Sequence, residues 1–386
     1  MTLEHINNTL QTLLVNTRSI GETYRMYLST LFKTYYDMLE MSKSNLERYC
    51  FIASPYEEVI KSVKIYCDQL LEIYDLYMGG KIGQAVELMR ERFTSEESMF
   101  TDDISSTIPM YRARVQDSLC MTFNVKDMFH VPFEKRGKIA NNRFSITGYP
   151  CLYLGKSILA CWEEMHKPML DNLSVSRFLL KKGIQKNIIN LCWHSTTIYD
   201  LDINDEEEQS LRKLRALRLL QRYPLMIACS IRTFDPKAPF KEEYVIPQVL
   251  LLSCINNEYV DGISYTSTRR DNQIAEDIEL HQNFVFPAQD IKDIGYCSKL
   301  VSDFQMTRGV SFMEADIKNV FYGKGTPNIY VEDGTLFLDK LDHGKTEYQC
   351  SKFGQMEEYL SSLPLYELWK RYSSWQEYPT EPPPKS

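Results

Sequence analysis

The sequence predicts an α+β protein in which an N-terminal helical bundle precedes a domain of mixed helices and strands. Residues 1–93 contain no proline before Pro55 and carry apolar side chains at helical spacing. Beyond a polar stretch at 94–109, the pattern changes to short β-rich runs bounded by turn residues. A chain of 386 residues is also long for a single core, so we expect more than one domain.

The composition excludes several classes of protein. Hydrophobic residues make up 44% and charged residues 25% of the chain, as in ordinary globular proteins, so we expect neither disorder nor a fibrous repeat. The longest apolar runs, such as 245–254, are too short to span a bilayer, so no membrane partner is expected. Glu4 and His5 stand where a signal peptide requires positive charge. A cytoplasmic location is therefore expected.

Charge and cysteine usage narrow the choice of ligands. The net charge is −8 and no long Lys/Arg run occurs, so a nucleic-acid partner is not expected. The ten cysteines are spread singly, without a CxxC pair or a histidine at zinc-ligand spacing. We therefore expect reduced, mostly buried thiols and no metal site.

The N-terminal quarter, residues 1–93, is predicted to be the helical bundle. Over 56–77 apolar side chains recur three or four residues apart, which is one face of a long helix. Gly79 and Gly80 end this helix, and a second helix is predicted over 82–93.

The polar stretch 94–109 is predicted to be a linker, and an α+β domain is predicted over 110–290. In this domain Asn204 or Asp205 can cap a helix whose first turn is three glutamates. Four apolar runs are consistent with either strands or short buried helices, because periodicity cannot separate the two in short segments. These runs are 151–155, 187–193, 225–231 and 248–255.

A C-terminal extension, 291–380, carries two further structural signals. The run 328–340 is predicted to be a hairpin of two short strands joined through a Glu-Asp-Gly turn. A helix is predicted over about 353–363, and the proline-rich tail 381–386 is predicted to be disordered.

Two arginines lie in segments whose other residues are typical of a buried core. Arg112 lies beside a tyrosine in the run YRAR, which suits recognition of a phosphate or carboxylate, although a surface salt bridge is the commoner explanation. Arg143 and Ser145 precede a turn and a buried strand that carries Tyr153. Such a turn can deliver polar side chains to a cleft, but an ordinary loop-to-strand junction would have the same residues.

A glutamate and a serine complete the set of candidate residues. Over 157–165 the apolar residues lie at helical spacing, so Glu163 and Glu164 cannot both face the core. An inward carboxylate would stabilise positive charge, although a glutamate on an amphipathic helix is normally solvated. Ser267 lies on an alternating run after an Asp-Gly turn. It has no Gly-x-Ser-x-Gly elbow and no suitably placed histidine, so it is a poor candidate for a nucleophile.

Taken in order, these clusters resemble the RES domain, a family named for its Arg, Glu and Ser residues. The blocks are Tyr-Arg, Arg-x-x-x-x-Gly-x-Pro-x-Leu-Tyr-Leu, Ala-x-x-Glu, Ile-Pro-Gln and Asp-Gly-Ile-x-Tyr-x-Ser. Their order is more specific than any single block. RES domains resemble the core of ADP-ribosyltransferases, so the resemblance implies an ADP-ribosyltransferase-like RES core after the N-terminal bundle. The resemblance covers under half of the chain.

Carried over residue by residue, the resemblance implies an NAD-cleaving site. Glu163 falls on the glutamate of the family and would stabilise the oxocarbenium-like state of the ribose. Arg112 and Arg143 fall on its arginines and would clamp the pyrophosphate or an incoming phosphate. Tyr153 would pack against nicotinamide or ribose, and Ser267 would hydrogen-bond rather than attack.

The resemblance also implies a class of reaction and of partners. Ser145 stands where the family commonly carries Asn, which puts the geometry around Arg143 in question. Known members degrade NAD by phosphorolysis or hydrolysis, or transfer ADP-ribose to a protein, and many are toxins restrained by an antitoxin.

We therefore predict an NAD glycohydrolase or phosphorylase that acts as a toxin or defence effector, with NAD as substrate and phosphate as a candidate co-substrate. A protein antitoxin or regulator and a second copy of the chain are candidate partners. One alternative is an ADP-ribosyltransferase that acts on a protein, and another is a non-catalytic interaction protein with a RES-like scaffold.

Overall fold

A computed structural model describes residues 2–14, 16–50, 56–94, 100–116, 123–192, 198, 205–269, 278–318, 320, 329–332, 335–338 and 347–368. The helices are α1 (Leu3–Thr12), α2 (Tyr24–Met41), α3 (Lys43–Cys50), α4 (Tyr56–Met78), α5 (Ile82–Arg90), α6 (Ile158–Glu164), α7 (Glu206–Ser230), α8 (Val245–Cys254), α9 (Ser298–Asp303), α10 (Phe312–Ile317), α11 (Glu347–Cys350) and α12 (Lys352–Ser362). The strands are β1 (Thr101–Ile104), β2 (Met110–Val115), β3 (Cys151–Gly155), β4 (Leu173–Leu180), β5 (Lys186–Leu191), β6 (Gly262–Thr266), β7 (Gln282–Pro287), β8 (Phe304–Met306), β9 (Val310–Ser311), β10 (Ile329–Glu332) and β11 (Thr335–Leu338).

The chain divides into two compact units, and each unit is assembled from three separate chain segments. The first unit contains 1–102, 140–147 and 187–268. The second unit contains 103–139, 148–186 and 269–386.

The first unit packs the N-terminal helices against α7 and α8. Helix α4 buries an apolar stripe along most of its length, as the three-and-four spacing predicts. Tyr35 of α2 is fully buried and donates its hydroxyl proton to the carbonyl of Leu220 in α7 at 2.8 Å. Asp205 caps α7 by accepting from the backbone N–H groups of Glu207 and Glu208. Strands β5 and β6 of this unit pair in parallel.

The second unit contains a sheet whose strands run in the order β7, β3, β2, β4, β8, with β9 also pairing with β4. Every one of these pairs is antiparallel. One face of the sheet is covered by α6, α10 and α12. The buried side chains of that layer include Tyr111, Leu173, Val175, Ile158, Trp162, Phe312 and Phe353. This apolar layer fixes the position of α6 on the sheet.

Gly155 makes the close approach of α6 to the sheet possible. It ends β3, and α6 begins three residues later. A Cβ atom at this position would lie 2.7 Å from the Sγ atom of Cys161 and 2.8 Å from the backbone oxygen of Ser157. Real Cβ atoms do not approach other atoms so closely, so the turn from β3 into α6 requires glycine.

The α+β class is confirmed, and the short apolar runs resolve into both kinds of element. Residues 151–155 and most of 187–193 are strands, whereas 225–231 and 248–255 form the end of α7 and the helix α8. The predicted linker, 94–109, contains strand β1. The predicted domain boundaries and the ADP-ribosyltransferase-like core stay predictions.

The structure also contains the hairpin and the terminal helix that the sequence predicts in the C-terminal extension. The predicted hairpin is present as the antiparallel pair β10 and β11, and the predicted terminal helix is α12. Seven cysteines, Cys67, Cys151, Cys161, Cys192, Cys229, Cys254 and Cys297, are buried, as predicted. Across the described ranges, no helix combines the length and the hydropathy that a bilayer crossing needs. The predicted disordered tail, 381–386, lies outside the described residues.

We expect Gly155→Ala to destabilise the protein by about 1–3 kcal/mol, the usual cost of overpacking a dense core. The added methyl group would displace α6 from the sheet because its nearest neighbours include backbone. Thermal or urea unfolding of the full chain measures the change. Gly137→Ala is the matched control, since a Cβ atom there meets nothing within 4 Å. Equal stability of the two variants would contradict the packing argument.

Candidate functional site

The sequence-predicted site residues are divided between the two units. Arg112, Tyr153 and Glu163 belong to the second unit, and Arg143, Ser145 and Ser267 belong to the first.

Helix α6 carries Glu163 and is fixed at its N-terminus by Ser157. The hydroxyl of Ser157 accepts a hydrogen bond from the backbone N–H of Ala160 at 3.0 Å, and it donates to the carbonyl of Leu280. Every residue from Ile158 to Glu163 is buried. The helix is therefore enclosed on all sides rather than amphipathic, and Glu163 is the member of the Glu163–Glu164 pair that faces inward.

Glu163 meets His281, which precedes strand β7. The Nδ1 atom of His281 lies 2.7 Å from Oε2 of Glu163, and both side chains have 0% exposure. The other oxygen, Oε1 of Glu163, and the Nε2 atom of His281 are buried and have no hydrogen-bond partner among the described residues. A buried polar atom without a partner is costly, and such atoms concentrate where a ligand or a water molecule completes the site.

Glu164 is partly exposed and belongs to a more polar cluster at the C-terminus of α6. Its carboxylate accepts a hydrogen bond from the Nδ2 atom of Asn283 at 3.2 Å. Arg269 donates to the backbone carbonyl of Glu164 at 2.6 Å and lies 2.8 Å from the Nε2 atom of His166. These contacts hold the end of α6 from two directions.

The C-terminus of α6 adopts an ending that usually requires glycine. The backbone N–H of Lys167 bonds to the carbonyl of Trp162, and that of His166 bonds to the carbonyl of Glu163, as in a Schellman motif. His166 and Lys167 have φ angles of 63° and 53°, in the left-handed region. Such strain in non-glycine residues is found mainly at functional sites.

Arg112 is a half-buried cation without an ion-pair partner among the described residues. Its Nη1 atom donates a long hydrogen bond of 3.4 Å to the carbonyl of Tyr153, and its Nε atom is buried without a partner. Burial and, to a smaller extent, the nearby charge of Arg114 together lower the pKa of Arg112 to about 10. An uncompensated guanidinium of this kind is suited to binding an anion.

The strand registers place Arg112 on the face of the sheet opposite to α6. Tyr111 packs in the layer that contains α6, and side chains alternate along β2, so Arg112 points to the other side. Tyr111 pairs with Gly155 of β3 and with Arg177 of β4. Tyr153 and Arg177 therefore share the face that α6 covers. The Nη1 atom of Arg112 contacts the backbone carbonyl of Tyr153, whereas the two side chains lie on opposite faces of the sheet.

In the first unit, Arg143 binds the C-terminal end of α7. Its Nη1 and Nη2 atoms donate to the carbonyls of Cys229 and Ile231 at 3.0 and 2.7 Å. The guanidinium carbon also lies 5.2 Å from the ring centroid of Tyr244. A cation at a helix C-terminus is favourable because the last carbonyls lack helical partners.

Gln248 of the Ile-Pro-Gln block fixes the turn that contains Arg143 and Ser145. Its side-chain amide donates to the carbonyls of Asn142 and Ser145 at 3.0 and 3.2 Å, and also to the side chain of Asn141. Ser145 is buried, and its hydroxyl donates to the carbonyl of Ala140 at 3.0 Å. Two of the sequence blocks, which are distant along the chain, thus form one hydrogen-bonded structure.

Ser267 is fully buried and directly follows β6, the strand predicted to present it. Within the described part of the chain, no group of three or more His, Cys, Asp and Glu residues is arranged to hold a metal ion.

Comparison with known proteins identifies the family to which the chain belongs. A protein of Bacillus subtilis (strain 168) named "Putative toxin YopC" is 35% identical to it over 311 residues, which cover 78% of this chain and 69% of the relative. The chain belongs to the YopC family. Since neither unit makes up much more than half of the chain, the similarity to YopC must include residues of both units. No protein-family model matches the chain, and no solved structure does. Its resemblance to the RES domain therefore stays a prediction.

Three residues of this YopC-family chain contact the predicted site segments but were not among the predicted site residues. His281 is separated from Glu163 by 118 positions, and Gln248 from Ser145 by 103. Gln248 was indicated by its place in a sequence block. Nothing in the local pattern around His281 indicates its partner, because the contact depends on the pairing of β3 with β7.

Glu357 of α12 is the third such residue and contacts the N-terminus of α6. Its Oε1 atom accepts from the backbone N–H of Ile158 at 2.7 Å and from the hydroxyl of Tyr348 at 2.5 Å. Burial raises the pKa of Glu357 to about 7, although both donors and the charge of Lys156 favour the ionised form. The C-terminal extension thus supplies a carboxylate to the first turn of the helix that carries Glu163.

We expect Glu357→Gln to gain stability relative to the wild type as pH rises. The folded-state pKa of about 7 lies above the ordinary 4.5, so the contribution of Glu357 to the free energy of unfolding is fully present below about pH 4.5 and is lost as pH rises through about 7. Glutamine keeps an acceptor for Ile158 without the charge. Between about pH 5 and pH 8 the difference should grow by up to about 2 kcal/mol.

Thermal unfolding across this pH range measures the effect of Glu357→Gln. The matched control is Glu358→Gln, since Glu358 lies on the same helix and is exposed. A parallel pH dependence for the two variants would contradict the assignment to Glu357.

Proposed function

We propose that this chain cleaves NAD at the bond between nicotinamide and ribose, as a glycohydrolase or a phosphorylase. The observation that carries the proposal is the Glu163 carboxylate, which is fully buried, is bonded to His281 and keeps one oxygen without a partner among the described residues. The ordered RES-like blocks in the sequence and the family relationship to a protein named as a toxin also support it.

A buried carboxylate suits the chemistry of this bond. Loss of nicotinamide leaves positive charge on the ribose, as in glycoside cleavage. A negative charge that is already fixed in a site without bulk water stabilises such a state far more than the same charge in water. The hydrogen bond from His281 would hold the Glu163 carboxylate in one orientation, and Oε1 would face the sugar.

The other predicted residues of the second unit would bind the rest of NAD. We assign the pyrophosphate to Arg112, because its charge has no ion-pair partner among the described residues. Tyr153 would pack on nicotinamide or ribose. The roles that the RES resemblance implies for Arg143, Ser145 and Ser267, which belong to the first unit, stay predictions.

We further propose that the cleavage makes the protein a toxin. The relative from Bacillus subtilis bears that description in its name. Loss of NAD in the cytoplasm would stop the metabolism of the cell that makes the enzyme, so its activity requires restraint by a protein antitoxin or regulator. The N-terminal helices of the first unit would serve as the partner-binding or oligomerisation module.

We expect Glu163→Gln to lower the rate of nicotinamide release from NAD by at least about 100-fold, the usual cost of removing one group that stabilises transition-state charge. Purified protein is incubated with NAD, with and without inorganic phosphate, and nicotinamide is followed over time. The matched control is Glu164→Gln, a change of the same kind on the neighbouring, partly exposed residue, which should keep most of the activity.

The products of the same assay separate the competing functions. Absence of release by folded wild-type protein under both conditions would contradict NAD cleavage and favour a non-catalytic interaction protein. Transfer of label from NAD to a protein would favour ADP-ribosyl transfer. A larger loss of activity in Glu164→Gln than in Glu163→Gln would show that Glu164 is the carboxylate of the site.

We expect Arg112→Ala to raise the KM for NAD by at least about tenfold, because a charged contact to phosphate contributes about 1.5–3 kcal/mol. Arg177→Ala is the comparison, since Arg177 is a second half-buried guanidinium, on the α6 face of the same sheet. Initial rates over a range of NAD concentrations give both constants. A larger increase of KM in Arg177→Ala than in Arg112→Ala would place the pyrophosphate on the α6 face.

A further inference from the structure

We propose that His281 is the general base of the site and that the acceptor of ADP-ribose is water rather than inorganic phosphate; this inference rests on the proposed NAD cleavage. It follows from the hydrogen bonding of the imidazole, from its attachment to α6 and from the proton balance of the two candidate reactions.

The hydrogen bond to Glu163 assigns a proton to the Nδ1 atom of the imidazole. An ionised carboxylate only accepts hydrogen bonds, so the proton between Oε2 of Glu163 and Nδ1 of His281, 2.7 Å apart, belongs to the imidazole. In the neutral ring Nε2 then carries a lone pair. This atom is buried and has no hydrogen-bond partner among the described residues. A carboxylate that orients an imidazole and leaves its second nitrogen available is the arrangement of a general base.

The backbone on both sides of His281 is hydrogen-bonded to the turn that leads into α6. The carbonyl of Leu280, the preceding residue, accepts from the hydroxyl of Ser157, which also caps the helix. The carbonyl of Gln282, the following residue, accepts from the backbone N–H of Lys156 at 2.8 Å. Glu163 and His281 are therefore fixed to each other by contacts other than their own hydrogen bond, as a preorganised pair requires.

The proton balance distinguishes the two acceptors. When the bond between ribose C1′ and the pyridinium nitrogen breaks, its electron pair goes to the ring and neutral nicotinamide leaves, so no acid is needed. When water forms the new C1′–O bond, it must lose a proton, which Nε2 of His281 would take while Glu163 stabilises the imidazolium. That proton returns to solvent after ADP-ribose leaves. Inorganic phosphate already carries an ionised oxygen and needs no base.

The wild-type protein tests the acceptor without any substitution. NAD is cleaved in water enriched in oxygen-18, in the presence of millimolar phosphate, and the products are identified by mass spectrometry. We expect ADP-ribose that carries one oxygen-18 atom. ADP-ribose 1-phosphate as the main product would overturn the inference while leaving NAD cleavage intact. Absence of any nicotinamide release would instead overturn the proposed function.

The variant His281→Asn separates the role of a base from that of a positioning residue. The amide nitrogen of asparagine sits close to the position of Nδ1 and still donates to Glu163, but it cannot accept a proton. We expect kcat for hydrolysis to fall by about 100-fold or more, with the KM for NAD little changed. Azide, an anionic nucleophile without a proton to lose, should restore nicotinamide release and form the azide of ADP-ribose.

Two outcomes with the variant would overturn the role of His281. Hydrolysis by His281→Asn at the wild-type rate would show that no base is needed at this position. Lost activity that azide does not restore, in a variant with wild-type thermal unfolding, would show that His281 only positions Glu163. If the variant fails to fold, the oxygen-18 measurement on the wild type still decides the acceptor.

Discussion

The second unit depends on the close packing of helix α6 against its sheet. Gly155 allows the chain to turn from β3 directly into the helix, and the apolar layer around Tyr111 then holds the helix in place. Because every residue from Ile158 to Glu163 is enclosed, the side chain of Glu163 cannot reach solvent by a change of rotamer. The burial of Glu163 is therefore a consequence of packing, and the fold must provide a partner for it.

Two carboxylates lie at opposite ends of α6. Glu163 is buried and belongs to the helix, whereas Glu357 is half-buried and belongs to α12. Glu357 lies at the N-terminus, where the helix dipole and two donors favour its ionised form. Glu163 lies near the C-terminus, where the dipole disfavours a negative charge, and its partner is an imidazole. Burial of such a pair contributes little to stability compared with apolar residues of the same size. The first arrangement is explained by the architecture of the helix, whereas the second is the one that the proposed function uses.

The sequence predicts those parts of the fold that depend on local pattern. The α4 stripe, the Asp205 cap and the hairpin follow from spacing and turn chemistry, and the structure contains all three. The runs that form the end of α7 and helix α8 are apolar on every side, so no period separates helix from strand. The partner of Glu163 could not be predicted, because Glu163 and His281 are 118 positions apart and no pattern in the intervening sequence specifies their contact. The face of the sheet on which Arg112 lies could not be predicted either, because it depends on the register between strands.

The interleaving of chain segments bears on how the protein is made in the cell. Each unit needs a segment that lies far along the chain, since the first ends at residue 268 and the second includes 269–386. The ribosome must therefore synthesise about two thirds of the polypeptide before the first unit can close, and α12 before the first turn of α6 receives Glu357. A nascent or prematurely terminated chain would lack a finished site. Under the proposed function, such an order of assembly would protect a cell from the activity of incomplete copies.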